Sequence, residues 1–101
     1  MSKRMTPADR KASILEAAIV AANKQSFSGL RLHHIATEAD CSNASVVAYF
    51  GTMNKMRRAV MRAAIARTIL PIIANGIATR DRDALKASPE LQKQALATLN
   101  P

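Results

Sequence analysis

Residues 30–56 read LRLHHIATEADCSNASVVAYFGTMNKM, and the order of apolar positions and breakers in this stretch decides the fold. Ile35, Ala36 and Ala39 recur at helical spacing, which predicts a short helix with one buried side. Asp40-Cys41-Ser42 then breaks it. Asp is one of the few residues besides Gly that tolerates the left-handed backbone a tight inter-helix turn requires. Ser42 is a good N-cap for a second helix running to Tyr49 or Phe50, with Val46 and Phe50 on its buried side. Two short helices joined in this way form the helix-turn-helix arrangement, whose second helix is presented to the DNA major groove.

Working outward, helix dominates in both directions. Thr6-Pro7-Ala8-Asp9 predicts a helix start, with Thr as N-cap, Pro at the first helical position and an acid in the first turn. Ile14, Leu15, Ala18, Ile19 and Ala22 then form one apolar stripe ending near Asn23 to Gln25. Ser26-Phe27-Ser28-Gly29 reads as a connection, with Phe27 turned inward as a core plug. Downstream, Gly51-Thr52 closes the second short helix, and Thr52 caps a longer one from Met53 to about Leu70. Its buried stripe is Met53, Met56, Val60, Ala63 or Ala64, and the aliphatic stem of Arg67. Pro71 kinks or ends that helix, Asn75-Gly76 reads as a helix stop, and residues 79–86 read as a charged connection. Ser88-Pro89-Glu90 starts a last amphipathic helix with Leu91, Ala95, Leu96 and Leu99 on one side.

The fold class predicted is therefore all-α: a three-helix DNA-binding domain with a helix-turn-helix, plus one or two further helices for dimerisation. Its divisions are a basic arm and helix start at 1–9, the DNA-binding domain at 10–60 and a C-terminal helical extension at 61–101. Ile65, Ile69, Ile72, Ile73 and Ile77 exceed what a three-helix core needs. They suit either ordinary core for the last helix or a dimer seam, and dimerisation through this segment is the expectation. A two-fold pair would set two recognition helices about 34–36 Å apart, one DNA turn.

The chain carries 15 Lys+Arg against 7 Asp+Glu, a net +8 over 101 residues. Such a balance suits a polyanion: DNA, RNA or an anionic membrane surface. It also fits the solvated surface of a protein that is merely basic. Residues 1–50 hold 6 basic and 4 acidic side chains, and residues 51–101 hold 9 and 3. The excess thus begins just after the second short helix, where phosphates would lie. A single cysteine forms no internal disulfide, which points to a reducing cytoplasm. The basic N-terminus makes a poor signal peptide, and the apolar run at Ile69–Ile73 is too short for a membrane span and contains Pro71. A soluble cytoplasmic protein is expected.

Nothing in the sequence supports an enzyme. There is no paired-carboxylate arrangement, no nucleophile pair with an orienting acid, no phosphate-cradling glycine loop and no metal-ligand cluster. His33 and His34 are adjacent, so on a helix they point about 100° apart and do not face one metal together. Cys41 reads as a small core residue. No cofactor is implied. The rival to DNA binding is a small helical protein-interaction module whose basic surface meets an acidic protein partner; a salt titration on random duplex separates the two.

Ile14-Leu15-Glu16-Ala17-Ala18, then Gly29, then Ile35-Ala36-x-x-Ala39-x-Cys41-Ser42-x-x-Ser45-Val46-x-x-Tyr49-Phe50 resembles the N-terminal DNA-binding domain of the tetracycline-repressor (TetR) family. The likeness covers roughly residues 8–60. It implies a dimeric protein that binds double-stranded operator DNA and represses transcription by covering a promoter. Carried over by position, it implies that Asn43, Ala44, Ser45, Val47, Ala48 and Tyr49 face the groove and that His33 supplies a DNA contact. Of these, Asn43, Ser45 and Tyr49 have the amide, hydroxyl and ring that suit reading base edges. The chain also departs from the family. Val47 stands where a phosphate-binding Tyr is usual, Met53 where a phosphate-binding Lys is usual, and Asp40 where a turn Gly is usual. Lys55, Arg57 and Arg58 lie close enough to replace the missing phosphate contacts, and basic residues in a helix's first turns work against its own dipole unless an anion approaches. We expect Lys55 and Arg58, with Lys3 and Arg4 of the arm, to bind backbone. About 40 residues follow the DNA-binding part, too few for the family's usual ligand-binding domain, so no effector pocket is expected. Economy of size suits a phage or plasmid regulator.

Overall fold

Four of the helices open at a Ser or Thr whose hydroxyl accepts a first-turn N–H, and this local chemistry sets the element boundaries. A computed structural model of the chain describes residues 5–99. Lys3 and Arg4 lie outside the described residues. Helix α1 spans Pro7–Gln25. Thr6 and Asp9 cap each other reciprocally, with Thr6 Oγ1 accepting from Asp9 N at 3.1 Å and Asp9 Oδ2 from Thr6 N at 3.3 Å. Its buried side carries Ile14, Ala17, Ala18, Ile19, Ala21 and Ala22. The connection that follows buries Phe27, as its plug role requires, and Leu30.

Helix α2 spans Leu32–Ala39 and α3 spans Asn43–Phe50. Asp40 takes the left-handed conformation (φ 54°, ψ 49°) that the sequence predicts, and Ser42 Oγ caps α3 by accepting from Ser45 N at 3.1 Å. Gly51, at φ 76°, ends α3. Thr52 Oγ1 accepts from Lys55 N at 3.2 Å and opens α4, Met53–Arg67. The buried side of α4 is Met56, Val60, Met61 and Ala64. Met53 and Ala63 are half-buried at its edges. Arg67 turns outward to Glu16, Nη2 to Oε2 at 2.7 Å, rather than laying its stem on the core.

The second half departs from expectation at two points. Helix α4 stops at Thr68, itself left-handed at φ 57°, and Pro71 sits in the first turn of a new helix, α5, Leu70–Ala78, where its missing N–H costs nothing. Asn75-Gly76 is no helix stop, because α5 runs through it to Ala78. Gly76 is there for space. A Cβ on it would strike Met61 Cε of α4 and come within 2.9 Å of Ala84 Cβ. Asn75 ties α5 to the α1–α2 connection, its Oδ1 accepting from Ser28 N at 2.7 Å. A short 3-10 turn, Ala84–Lys86, leads to α6, Pro89–Ala97, capped by Ser88.

All of this forms an all-helical fold, with no strand among the described residues. One apolar core runs through both halves, from Ile14 and Ile35 through Val60 to Ile72, Ile73 and Ala95. A division at residue 60 therefore falls inside α4, not at a boundary. The expected dimer seam also needs correction. Ile72 and Ile73 are 1% and 0% exposed, because α5 packs on α4, α6 and α1 at once. They are core. Ile65, Ile69 and Ile77 are half-buried and pack against the same cluster. On α6, Leu91 and Ala95 turn inward while Leu96 stays exposed, as does Leu99 just beyond the helix end.

Candidate nucleic-acid interface

Helix α3 carries no charged residue, buries only Val46 fully and turns one side to solvent. At 100° per residue its exposed arc holds Asn43, Ala44, Val47 and Ala48. Four of the six positions assigned to groove contact thus share one surface. Ser45 and Tyr49, one turn apart, flank that arc and are half-buried. The Ser45 hydroxyl lies 3.0 Å from that of Ser42, so it belongs to the cap of α3 as well as to its face. The Tyr49 ring packs against the core and does not stand out beside Asn43. His33 is exposed at the start of α2. Its neighbour His34 turns back to cap that helix, Nδ1 accepting from Arg31 N at 3.0 Å. Partial desolvation, then the nearby His33 and Arg31, lower the His34 pKa, in keeping with a nitrogen that must stay unprotonated to accept.

Beside α3 runs a groove of about 450 Å³. Its floor is apolar, made of Tyr49 and Phe50 from α3, Leu15 from α1 and Ala59 from α4. Its charged lining is entirely cationic: Lys11 from α1 and Lys55, Arg58 and Arg62 from α4. The three α4 residues follow at intervals of three and four, which puts them on one helix face. Lys11 holds its ammonium 5.2 Å from the centre of the Phe50 ring. The stem of Lys55 lies along Gly51, where an added Cβ would come within 3.1 Å of Lys55 Cδ. The structure thus brings the expected Lys55 and Arg58 together, and adds Lys11 and Arg62, which the sequence reading missed. A signal for Arg62 was present, since it continues the Lys55–Arg58 spacing by one more turn. For Lys11, the cue was its place one turn before Leu15.

Neighbouring arginines on α4 have different roles. Arg57 does not face the groove. Its guanidinium donates to the carbonyls of Phe27 at 2.8 Å and Leu30 at 2.5 Å and lies 5.9 Å from the Phe27 ring centre. It closes the connection ahead of α2 against α4, holding backbone groups that have no helical partner. Arg58 lies 3.4 Å from Oδ2 of Asp83, and Arg62 lies 3.8 Å from its Oδ1.

The arrangement offers an uncharged helix face bordered by four cations, one of which, Lys11, lies over the Phe50 ring, and a lining of that sign suits an anionic ligand. Among the described residues there is no group of His, Cys, Asp and Glu placed to hold a metal, and no helix is long and apolar enough to cross a membrane. No protein-family model matches the chain, and no curated protein or solved structure matches it. The TetR likeness therefore rests on the quoted residues alone.

Proposed function

We propose that the protein is a sequence-specific DNA-binding transcriptional regulator of the cytoplasm that acts as a dimeric repressor by covering a promoter. In this reading α2 and α3 serve as a helix-turn-helix of the TetR kind. Asn43, Ala44, Val47 and Ala48 meet base edges, with Ser45 at their margin, while Lys11, Lys55, Arg58 and Arg62 hold phosphates. His33 is placed to add a contact at the head of α2. Tyr49 shifts from base reader to the groove floor that carries the cations. The observation that supports this best is the junction of an uncharged exposed helix with a groove whose charged lining is all positive. Each cation that neutralises a phosphate releases a counterion, and affinity then falls steeply with salt.

A salt titration on random duplex tests it. With three or four phosphates neutralised per protomer, each protomer should contribute a slope of about −2.7 to −3.6 to the fall of log affinity with log salt. Asn43→Ala should cost roughly 1–3 kcal/mol on a selected sequence and little on random duplex. A flat salt response would remove DNA from consideration and favour an acidic protein partner. Equal losses on both duplexes would remove sequence reading by α3.

A further inference from the structure

Asp83 is the one buried charged or polar residue among those described, 7% exposed. It sits in the segment between α5 and α6, at the back of the groove's arginine wall. Its Oδ2 is fully buried and accepts no hydrogen bond. The cationic atoms beside it are Arg58 Nε at 3.4 Å and Arg62 Nε at 3.8 Å, beyond the roughly 2.7–3.2 Å of a formed N–H···O bond. A carboxylate that deep is ordinarily hydrogen-bonded. Here the compensation comes from the charges of two side chains that also line the groove. Asp81, the other carboxylate nearby, accepts at Oδ2 from the Ala84 N–H at 3.0 Å.

We infer that Asp83 is an internal competitor for phosphate, a residue that weakens the groove's hold on any phosphate polymer by engaging Arg58 and Arg62. This rests on the DNA-binding reading above and assigns the four cations unequal parts. Lys11 and Lys55 have no ion-pair partner among the described residues and meet an incoming phosphate freely. Arg58 and Arg62 meet one with part of their charge already offset by a carboxylate that burial leaves dependent on them. The competition is the same for every sequence, so it subtracts from backbone binding and leaves base reading by α3 as the larger share of affinity. Asp83 in this sense sets how tightly the groove holds backbone phosphate without needing to touch DNA.

The test uses the full chain with two probes: a short random duplex, and linear polyphosphate, which offers phosphates without bases. Asp83→Asn should tighten binding to both by roughly two- to fivefold at low salt, the scale of a partly exposed ion pair. It should also steepen the log–log salt dependence by about one unit for each arginine released. Adding Arg58→Gln and Arg62→Gln should erase the gain. A folded Asp83→Asn protein with unchanged or weaker binding to both probes would overturn the inference and leave the DNA reading intact. Tighter binding to polyphosphate alone, with no salt-dependent duplex binding by either protein, would support the role of Asp83 while removing the DNA reading. Binding of neither probe by the parent chain would overturn both. Should Asp83→Asn fail to fold, single neutralisations decide. Arg58→Gln must then reduce the salt slope less than Lys55→Gln, and equal losses would overturn the inference.

Discussion

Helices α3 and α5 are near twins on paper and opposites in the fold. NASVVAYF and LPIIANGIA are both short, uncharged and rich in apolar residues. Yet α5 buries Ile72, Ile73, Ala74 and Gly76, while α3 buries Val46 and leaves Val47 46% exposed. The cause is the number of neighbours. Helix α5 packs on α4, α6, α1 and the 3-10 turn, whereas α3 rests on α2, α4 and a short length of α1 and has an open side. An uncharged helix whose central residues are enclosed by its neighbours belongs to the core. An uncharged helix with an open side bordered by cations is a surface kept clear of charge, and that difference motivates the functional reading.

The sharpest way to break this contrast is to truncate one residue in each helix. Ile73→Ala should cost about 2–5 kcal/mol, because its site is closed by three other helices and collapses only partly. Val47→Ala should change stability by no more than about 0.5 kcal/mol. Urea unfolding of both variants measures the difference. Comparable losses would mean that the outer side of α3 is covered and is no recognition surface.

A smaller effect sharpens the α5 side. Gly76→Ala places a methyl against Met61 and Ala84, and the overpacking should cost about 1–3 kcal/mol despite the better helix propensity of Ala. Chemical denaturation is again the readout. A stabilised variant would show that Gly76 marks a loose helix end after all, and that the close approach of α4 to α5 is dispensable.

The smallest expected effect concerns the helix that precedes α3. Folding lowers the His34 pKa from 6.5, so the folded protein binds fewer protons there than the unfolded chain. That contribution to stability is present above pH 6.5 and is lost as pH falls through the lowered value. The melting temperature should therefore drop slightly more on acidification in the parent than in His34→Gln. Identical pH dependence in the two proteins would show that the cap on Arg31 N–H does not need a neutral imidazole.

Legibility varied with how local each feature is. The left-handed Asp40, the caps at Thr6, Ser42, Thr52 and Ser88, and the buried Phe27 were all readable, because each depends on a few adjacent residues and backbone geometry. Asn75-Gly76 misled because Gly has two uses, ending a helix or admitting a neighbour, and only the approach of Met61 distinguishes them. Ile72 and Ile73, expected at a dimer seam, misled similarly, since apolar excess is visible in a sequence but its destination is not. Within the site, Asn43, Ala44, Val47 and Ala48, which the family likeness assigned to the groove, share one exposed face of α3. Tyr49 does not, because a ring at the edge of a helix face goes wherever the adjacent helix leaves room.

By itself the sequence determined that the chain is helical, where most helices begin, and that the segment from α2 into α4 is an uncharged helix between a tight turn and a basic helix. Those features follow from propensity, capping and turn chemistry, which act within a few residues. Tertiary structure alone decided which of two uncharged helices is core and that Arg57 braces the loop while Arg58 faces the groove. It also brought Lys11 beside Lys55 and set Asp83 behind the arginines. These outcomes depend on contacts between residues far apart in the chain, and nothing local encodes the distance between Asp83 and Arg58.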